Sequence, residues 1–348
     1  MKHPSAPSSF ERLAGIEWMR GVAAFGVICI HSGLAVHNHT TESASTLRGW
    51  FNFAVPFFLV LSFFFAVRAE ISQPLPWKQW IRRYAERLLI PFVFWSITYL
   101  GLHAVKLSIH HQIPELKNLL TDDPAALILS GGTSVALYFL PLLLSGLVFL
   151  RILAPLLKRL PLPALLAGVL VGIFFHHLFI VYFHETEFKG LVLAPLNLCL
   201  GLLEDVARCF PLIFLAALLN RCLVIPSSNR AVPLIALGFA ILLVMNFLSI
   251  PFDLTEPFLG SGAFLIAWGF SGVLTLTPSA FIVGNYSFGV YLVHQLFLEL
   301  IQVTIPYDGT VGIEGTLLIT AAIFAVSMTT VWIASRSGSF ATKVFGLK

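Results

Sequence analysis

Residues 16–33 read IEWMRGVAAFGVICIHSG. From Val22 to Ile30 the stretch is apolar enough for a bilayer interior, yet Glu17 and Arg20 stand at its start and His31 near its end. On insertion scales an arginine near the centre of a spanning helix costs roughly 2.5–3.5 kcal/mol, so such groups face a protein interior or a watery cavity. An α-helix turns about 100° and rises about 1.5 Å per residue. Arg20 and His31 are eleven residues apart, so they point within about 20° of one another and lie about 16 Å apart along the axis. Glu17, three residues before Arg20, is close enough to pair with it. Taken singly, Arg20 can snorkel to the headgroups and a lone histidine can be structural. Aligned, the three form a polar stripe that points to a site.

The rest of the chain sets that helix in a membrane. Of 348 residues, 57% are hydrophobic and 11% charged, with a mean hydropathy of +0.89; a soluble domain carries about 25% charged residues. The deficit runs through the whole chain, which excludes a soluble domain with a single anchor. The net charge of +4 comes from dispersed basic residues, without the basic face that nucleic-acid binding needs. Cys29, Cys199, Cys209 and Cys222 lie in or beside apolar segments, and no Cys-x-x-Cys occurs. Neither a zinc site nor a disulfide framework is suggested. The pairs His110–His111 and His176–His177 are adjacent, so a helix turns them about 100° apart; no metal is assigned. The opening MKHPSAPSSFERLAG is polar for too long to begin a cleaved signal peptide, and the first apolar stretch reads as a retained helix.

Windows of about 20 apolar residues cross a hydrocarbon core of about 30 Å. They predict helices near 14–36, 47–67, 88–106, 134–154, 162–182, 206–225, 231–250, 258–277, 285–305 and 314–335. The stretch 191–225 is too long for one span and too interrupted for two. Residues 191–203 are expected to form an interfacial or re-entrant piece, with Glu204, Asp205 and Arg208 at the entrance of the sixth helix. The fold class is all-α: a polytopic membrane protein of about ten transmembrane helices. No soluble domain is expected, since the longest loop, about 107–133, is too short to form a core. With the N-terminus inside, the inner segments hold fifteen lysines and arginines and the outer segments five. That bias puts both termini in the cytoplasm. The expected division is a cytoplasmic tail over 1–13, a transmembrane domain over 14–335 and a second cytoplasmic tail over 336–348.

Five stretches together resemble one family. EWMRGVAAFGVICIH carries an acidic residue followed by Arg-x10-His, with Arg20 and His31 at that spacing. FAVPFFLVLSFFFAVR (53–68) holds Pro56, Phe57, Phe58 and Ser62; RRYAERLLIPFVFW (82–95) holds Arg83, Arg87 and Pro91. LYFLPLLL (137–144) has Tyr138 where tryptophan is common, and GNYSFGVYLVHQLF (284–297) carries Ser287, Tyr291 and His294. In this order they resemble the acyltransferase-3 family of integral membrane O-acyltransferases, over about residues 14–335. Phe63 departs from the pattern, standing where glycine usually follows the serine. No esterase-like domain of the kind some relatives carry follows the last helix, so the chain is expected to complete transfer alone or hand the acyl group to a partner.

The resemblance implies transfer of an acyl group, most often acetyl, from acyl-CoA to a hydroxyl of a sugar or a cell-envelope or exported polysaccharide. It implies residence in a bacterial cytoplasmic (inner) membrane, acyl-CoA and a saccharide or glycoconjugate as partners, and no permanently bound cofactor. Transfer to a hydroxyl needs a base, and histidine is the side chain whose ordinary pKa lies near neutral pH. His31 is therefore the expected general base. Glu17 holds Arg20, and Arg20, Arg83 and Arg87 are the expected contacts of the anionic donor, since guanidinium matches phosphate geometry. Ser62, Tyr138, Ser287, Tyr291 and His294 are secondary candidates for the substrate cavity. The competing reading is a transporter or flippase of a lipid-linked sugar that uses the same stripe as a polar pathway; internal repeats would favour it, and none is visible.

Overall fold

The computed structural model describes residues 12–109, 133–183, 194–223, 225–248, 250–304 and 309–347. Most of the long loop and the His110–His111 pair lie outside these residues. The described chain is all-α. The helices are α1 (Ala14–His31), α2 (Glu42–Gly49), α3 (Ala54–Ser72), α4 (Trp77–Tyr84), α5 (Ile90–Ile109), α6 (Phe139–Arg159) and α7 (Leu162–Phe183). There follow α8 (Ala194–Cys222), α9 (Ser228–Phe247), α10 (Phe252–Ser271), α11 (Pro278–Thr304), α12 (Ile313–Ala334) and α13 (Ser339–Val344). Among the described residues, 8 helical segments are long and apolar enough to cross a membrane. Two more, α8 with 29 residues and α10 with 20, are also of spanning length but carry charged side chains inside them, acidic and basic in α8 and acidic in α10.

Three expectations need correction. The piece over 191–203 is not separate: from Ala194 it is the first part of α8, which runs unbroken to Cys222. Arg208 therefore sits halfway along a helix and not at an entrance. The helix expected at 258–277 begins at Phe252 instead, so Asp253 and Glu256 lie within α10. The window at 47–67 is two elements. α2 ends at Gly49, a turn follows in which Phe51 N donates to Arg48 O and Asn52 N to Gly49 O, and α3 runs from Ala54 to Ser72.

In lipid the hydrophobic effect does not drive helices together, so close packing through small residues does. α9 and α10 show this: a Cβ on Gly238 would lie 2.5 Å from the Gly262 carbonyl, so these backbones meet only because both residues lack side chains. α10 is buried almost continuously from Thr255 to Gly269. α9 presents Val232, Leu237, Phe239, Leu243 and Phe247 outward, a surface suited to lipid. α1 packs on α11 and α10, and its Ala23, Ala24, Val27 and Ile28 are fully enclosed. Beyond His31 the chain tightens into a 3-10 turn, Ser32–Val36. Thr41 N and Val311 O at 3.0 Å, with Val311 N and His39 O at 2.8 Å, tie this end of α1 to the segment before α12.

Candidate functional site

Glu17, Arg20 and His31 all face protein. Glu17 is buried, and its Oε2 accepts a hydrogen bond from Arg20 Nη1 at 3.2 Å. Its Oε1 lies 3.9 Å from Arg12 Nη1. Arg12 is itself held, donating to Asn285 Oδ1 at 3.1 Å and lying over the Phe281 ring at 4.2 Å. The carboxylate fits against α11 because residue 284 is glycine: a Cβ there would lie 1.7 Å from Glu17 Oε2. A further guanidinium, Arg87, acts on Arg20 through space, as Arg12 does. Two guanidiniums, Arg20 and Arg12, thus flank one carboxylate, with Arg87 within electrostatic range of Arg20, and positive charge is in surplus at this end of α1.

Local structure places Arg87. The amphipathic α4 (Trp77–Tyr84) gives way to a π-turn over Ala85–Leu89, which leads into α5. Such π-turns insert a residue into the helical ladder and recur at functional sites. This one holds Arg87, which is exposed like Arg83 in the last turn of α4, and the two lie within electrostatic range of one another. Of the two, Arg87 also lies within electrostatic range of Arg20. Arg82 on the same exposed face pairs with Glu86, Nε to Oε1 at 2.9 Å.

At the other end of α1, His31 stacks on His294 of α11, with ring centroids 5.8 Å apart and planes 29° from parallel. His294 is fully buried, and its Nδ1 lies 2.6 Å from the Tyr291 carbonyl oxygen. A carbonyl only accepts, so Nδ1 carries the proton. Nε2 has no hydrogen-bond partner among the described residues. Tyr291 is 5.8 Å from the His294 ring and 5.3 Å from Phe139, and its hydroxyl donates to the Ala136 carbonyl. Arg48, from the end of α2, acts on His31 through space and donates to Thr40 Oγ1 at 2.9 Å.

The other candidates separate from this centre. Ser287 Oγ donates back to the Gly284 carbonyl at 2.8 Å, an internal helix contact. Ser62 is half-buried in α3, with no hydrogen bond among the described residues. Tyr138 lies beneath the Arg208 guanidinium at 5.5 Å. That arginine belongs to an ion pair the sequence reading missed. Arg208 Nε and Nη2 donate to Glu256 at 2.8–3.0 Å. Beside it, His177 Nδ1 is 2.6 Å from Asp253 Oδ2, and Ser145 Oγ donates to Asp205 at 3.3 Å. The signal was available: an acid and an arginine within apolar windows ask for a partner. Only the fold shows that α8 and α10 supply one another's.

The face of α1 between Arg20 and His31 is filled, with Ala24, Val27 and Ile28 at most 1% exposed. Two surface cavities lie elsewhere. One of about 280 Å³ is bordered by Trp50, Asn52 and Asn246, and one of about 410 Å³ by Arg68, Lys158 and Asn220.

The described chain is thus an all-helical membrane fold with guanidiniums gathered at one end of α1 and stacked imidazoles at the other. The comparison with known families narrows it. The family model described as acyltransferase domain, of acyltransferase-3 type, matches residues 13–336. The chain belongs to the acyltransferase-3 family and is an integral membrane acyltransferase. No curated protein and no solved structure matches it.

Proposed function

We propose that the protein is an O-acyltransferase that moves an acyl group, acetyl being the favoured one, from acyl-CoA to a hydroxyl of a saccharide or cell-envelope glycoconjugate. The observation that carries this reading is the placement of two chemistries along α1: guanidiniums around Glu17 at one end and His31 at the other. Arg20 and Arg87 suit the phosphates of the donor, in a bacterial inner membrane with both termini cytoplasmic. His31 takes the proton of the acceptor hydroxyl as its oxygen attacks the thioester carbonyl. The C–S bond then breaks, and His31 returns the proton to the CoA thiolate. No permanently bound cofactor is needed for these steps. Since Ala24, Val27 and Ile28 fill the face between the two ends, the pantetheine arm passes only when α1 and α11 part.

The test uses the full chain in detergent or native membranes with radiolabelled acetyl-CoA. CoA is expected to raise the melting temperature, as a ligand selective for the folded state must. His31→Gln should keep that shift and lose transfer of label to glycan ester. Near-normal transfer by His31→Gln removes it as the base.

A further inference from the structure

The His294 Nε2 is a buried acceptor with nothing to accept from among the described residues. The Tyr291 carbonyl fixes the tautomer: with the proton on Nδ1, Nε2 presents a lone pair. A buried polar atom left unpaired costs about 1–3 kcal/mol, a cost that a donor brought to Nε2 would relieve. The neighbour is His31, ring against ring at 5.8 Å. Two imidazoles joined by an N–H···N bond of about 2.9 Å have centres roughly 5 Å apart. A turn of His31 about its Cβ–Cγ bond, a soft torsion, aims one of its ring nitrogens at Nε2, and a small adjustment about Cα–Cβ closes the remaining gap between the ring centres. Among the described residues His31 has no competing hydrogen bond.

We propose that His294 is a positioning residue for the base: its Nε2 accepts the N–H of His31 and leaves the second His31 nitrogen unprotonated toward the acceptor hydroxyl. The chain of bonds runs Tyr291 C=O, His294 Nδ1–H, His294 Nε2, His31 N–H. It orients His31 as carbonyls and carboxylates orient other functional histidines. It also holds the imidazolium that forms when His31 takes the hydroxyl proton. The carbon–oxygen bond then forms, the carbon–sulfur bond breaks, and that same proton leaves His31 for the CoA thiolate. His294 gains and loses nothing over the cycle. The inference rests on the assignment of His31 as base.

Three substitutions at one position separate this role from packing. Gln places an amide oxygen where Nε2 lies, so His294→Gln keeps the acceptor. His294→Met fills similar volume without one. Asn reaches the Tyr291 carbonyl but not His31, so His294→Asn also lacks it and stands in where the Met variant fails to assemble. Transfer of label from radiolabelled acetyl-CoA to glycan ester is measured in membranes of expressing cells, and the CoA-induced melting shift reports folding and donor binding. The expected result is an unchanged shift in all, with transfer by His294→Gln at least tenfold above His294→Met or His294→Asn. Equal transfer by the three, whether near wild-type or near zero, overturns the proposal. If His31→Gln is inactive in that case, the base assignment stands and only the role of His294 falls. If His31→Gln is active, the base assignment itself has failed.

Discussion

Glu17 shows how one side chain organises an ionic centre inside apolar surroundings. A lone carboxylate in such a place is costly; this one is flanked by Arg20 and Arg12 and seated against a glycine. Two outcomes follow at this scale. Arg20→Ala removes a guanidinium that Glu17 orients, so the melting shift produced by CoA should shrink while the unliganded protein still assembles. An unchanged shift would place the donor elsewhere. Gly284→Ala puts a methyl group 1.7 Å from Glu17 Oε2, and the carboxylate must swing away. Overpacking of this kind costs typically 1–3 kcal/mol. Unliganded melting temperature and CoA shift should therefore both fall in Gly284→Ala, whereas Arg20→Ala should lower mainly the shift. The stripe itself was legible in the sequence, because helical geometry alone aligns positions 17, 20 and 31. The convergence of Arg12 and Arg87 on it was not, since α4, the π-turn and α11 set those positions through long-range packing.

At the scale of the element, α8 and α10 show where sequence reading stops. Their charged residues read as flanks of apolar windows, which puts the expected start of α10 at 258 and that of α8 at 206. The helices in fact extend back through Asp253 and Glu256 in α10 and through Glu204 and Asp205 in α8, which leaves Arg208 at mid-helix. A charge inside a window looks like a boundary unless its partner is known, and these partners lie 48 and 76 residues away. Where partners are not needed, as in α9 and α12, hydropathy places the helices within a few residues. The Arg208–Glu256 pair gives a direct expectation. Breaking a buried ion pair on one side costs about 3–5 kcal/mol, while replacing both partners by apolar residues of similar volume is often neutral. Arg208→Met or Glu256→Leu alone should lower the melting temperature sharply, and the double variant should recover most of the loss. If the double variant melts no higher than the worse single one, the pair does more than satisfy its own charges.

Across the whole molecule, the proposed mechanism puts donor and acceptor chemistry at opposite ends of α1 and requires the packing between them to open. In the structure α1 and α11 meet near Arg20: a Cβ built on Gly21 would lie 3.6 Å from Val283 Cβ. Disulfides need a Cβ–Cβ separation of about 3.5–4.5 Å. Gly21→Cys with Val283→Cys should therefore form a bond that pins α1 to α11 one residue from Arg20. The native cysteines Cys199 and Cys222 are exposed, so the pair is best built with both replaced by serine. If the pantetheine arm passes between these helices, oxidation should stop transfer of acetyl label to glycan, and reductant should restore it. The CoA-induced melting shift should survive oxidation, because the proposed mechanism binds the phosphates at the guanidinium end, outside the closed seam. Full transfer by the oxidised protein would show that α1 and α11 need not part, and the acyl group would then have to reach His31 by another face of the bundle.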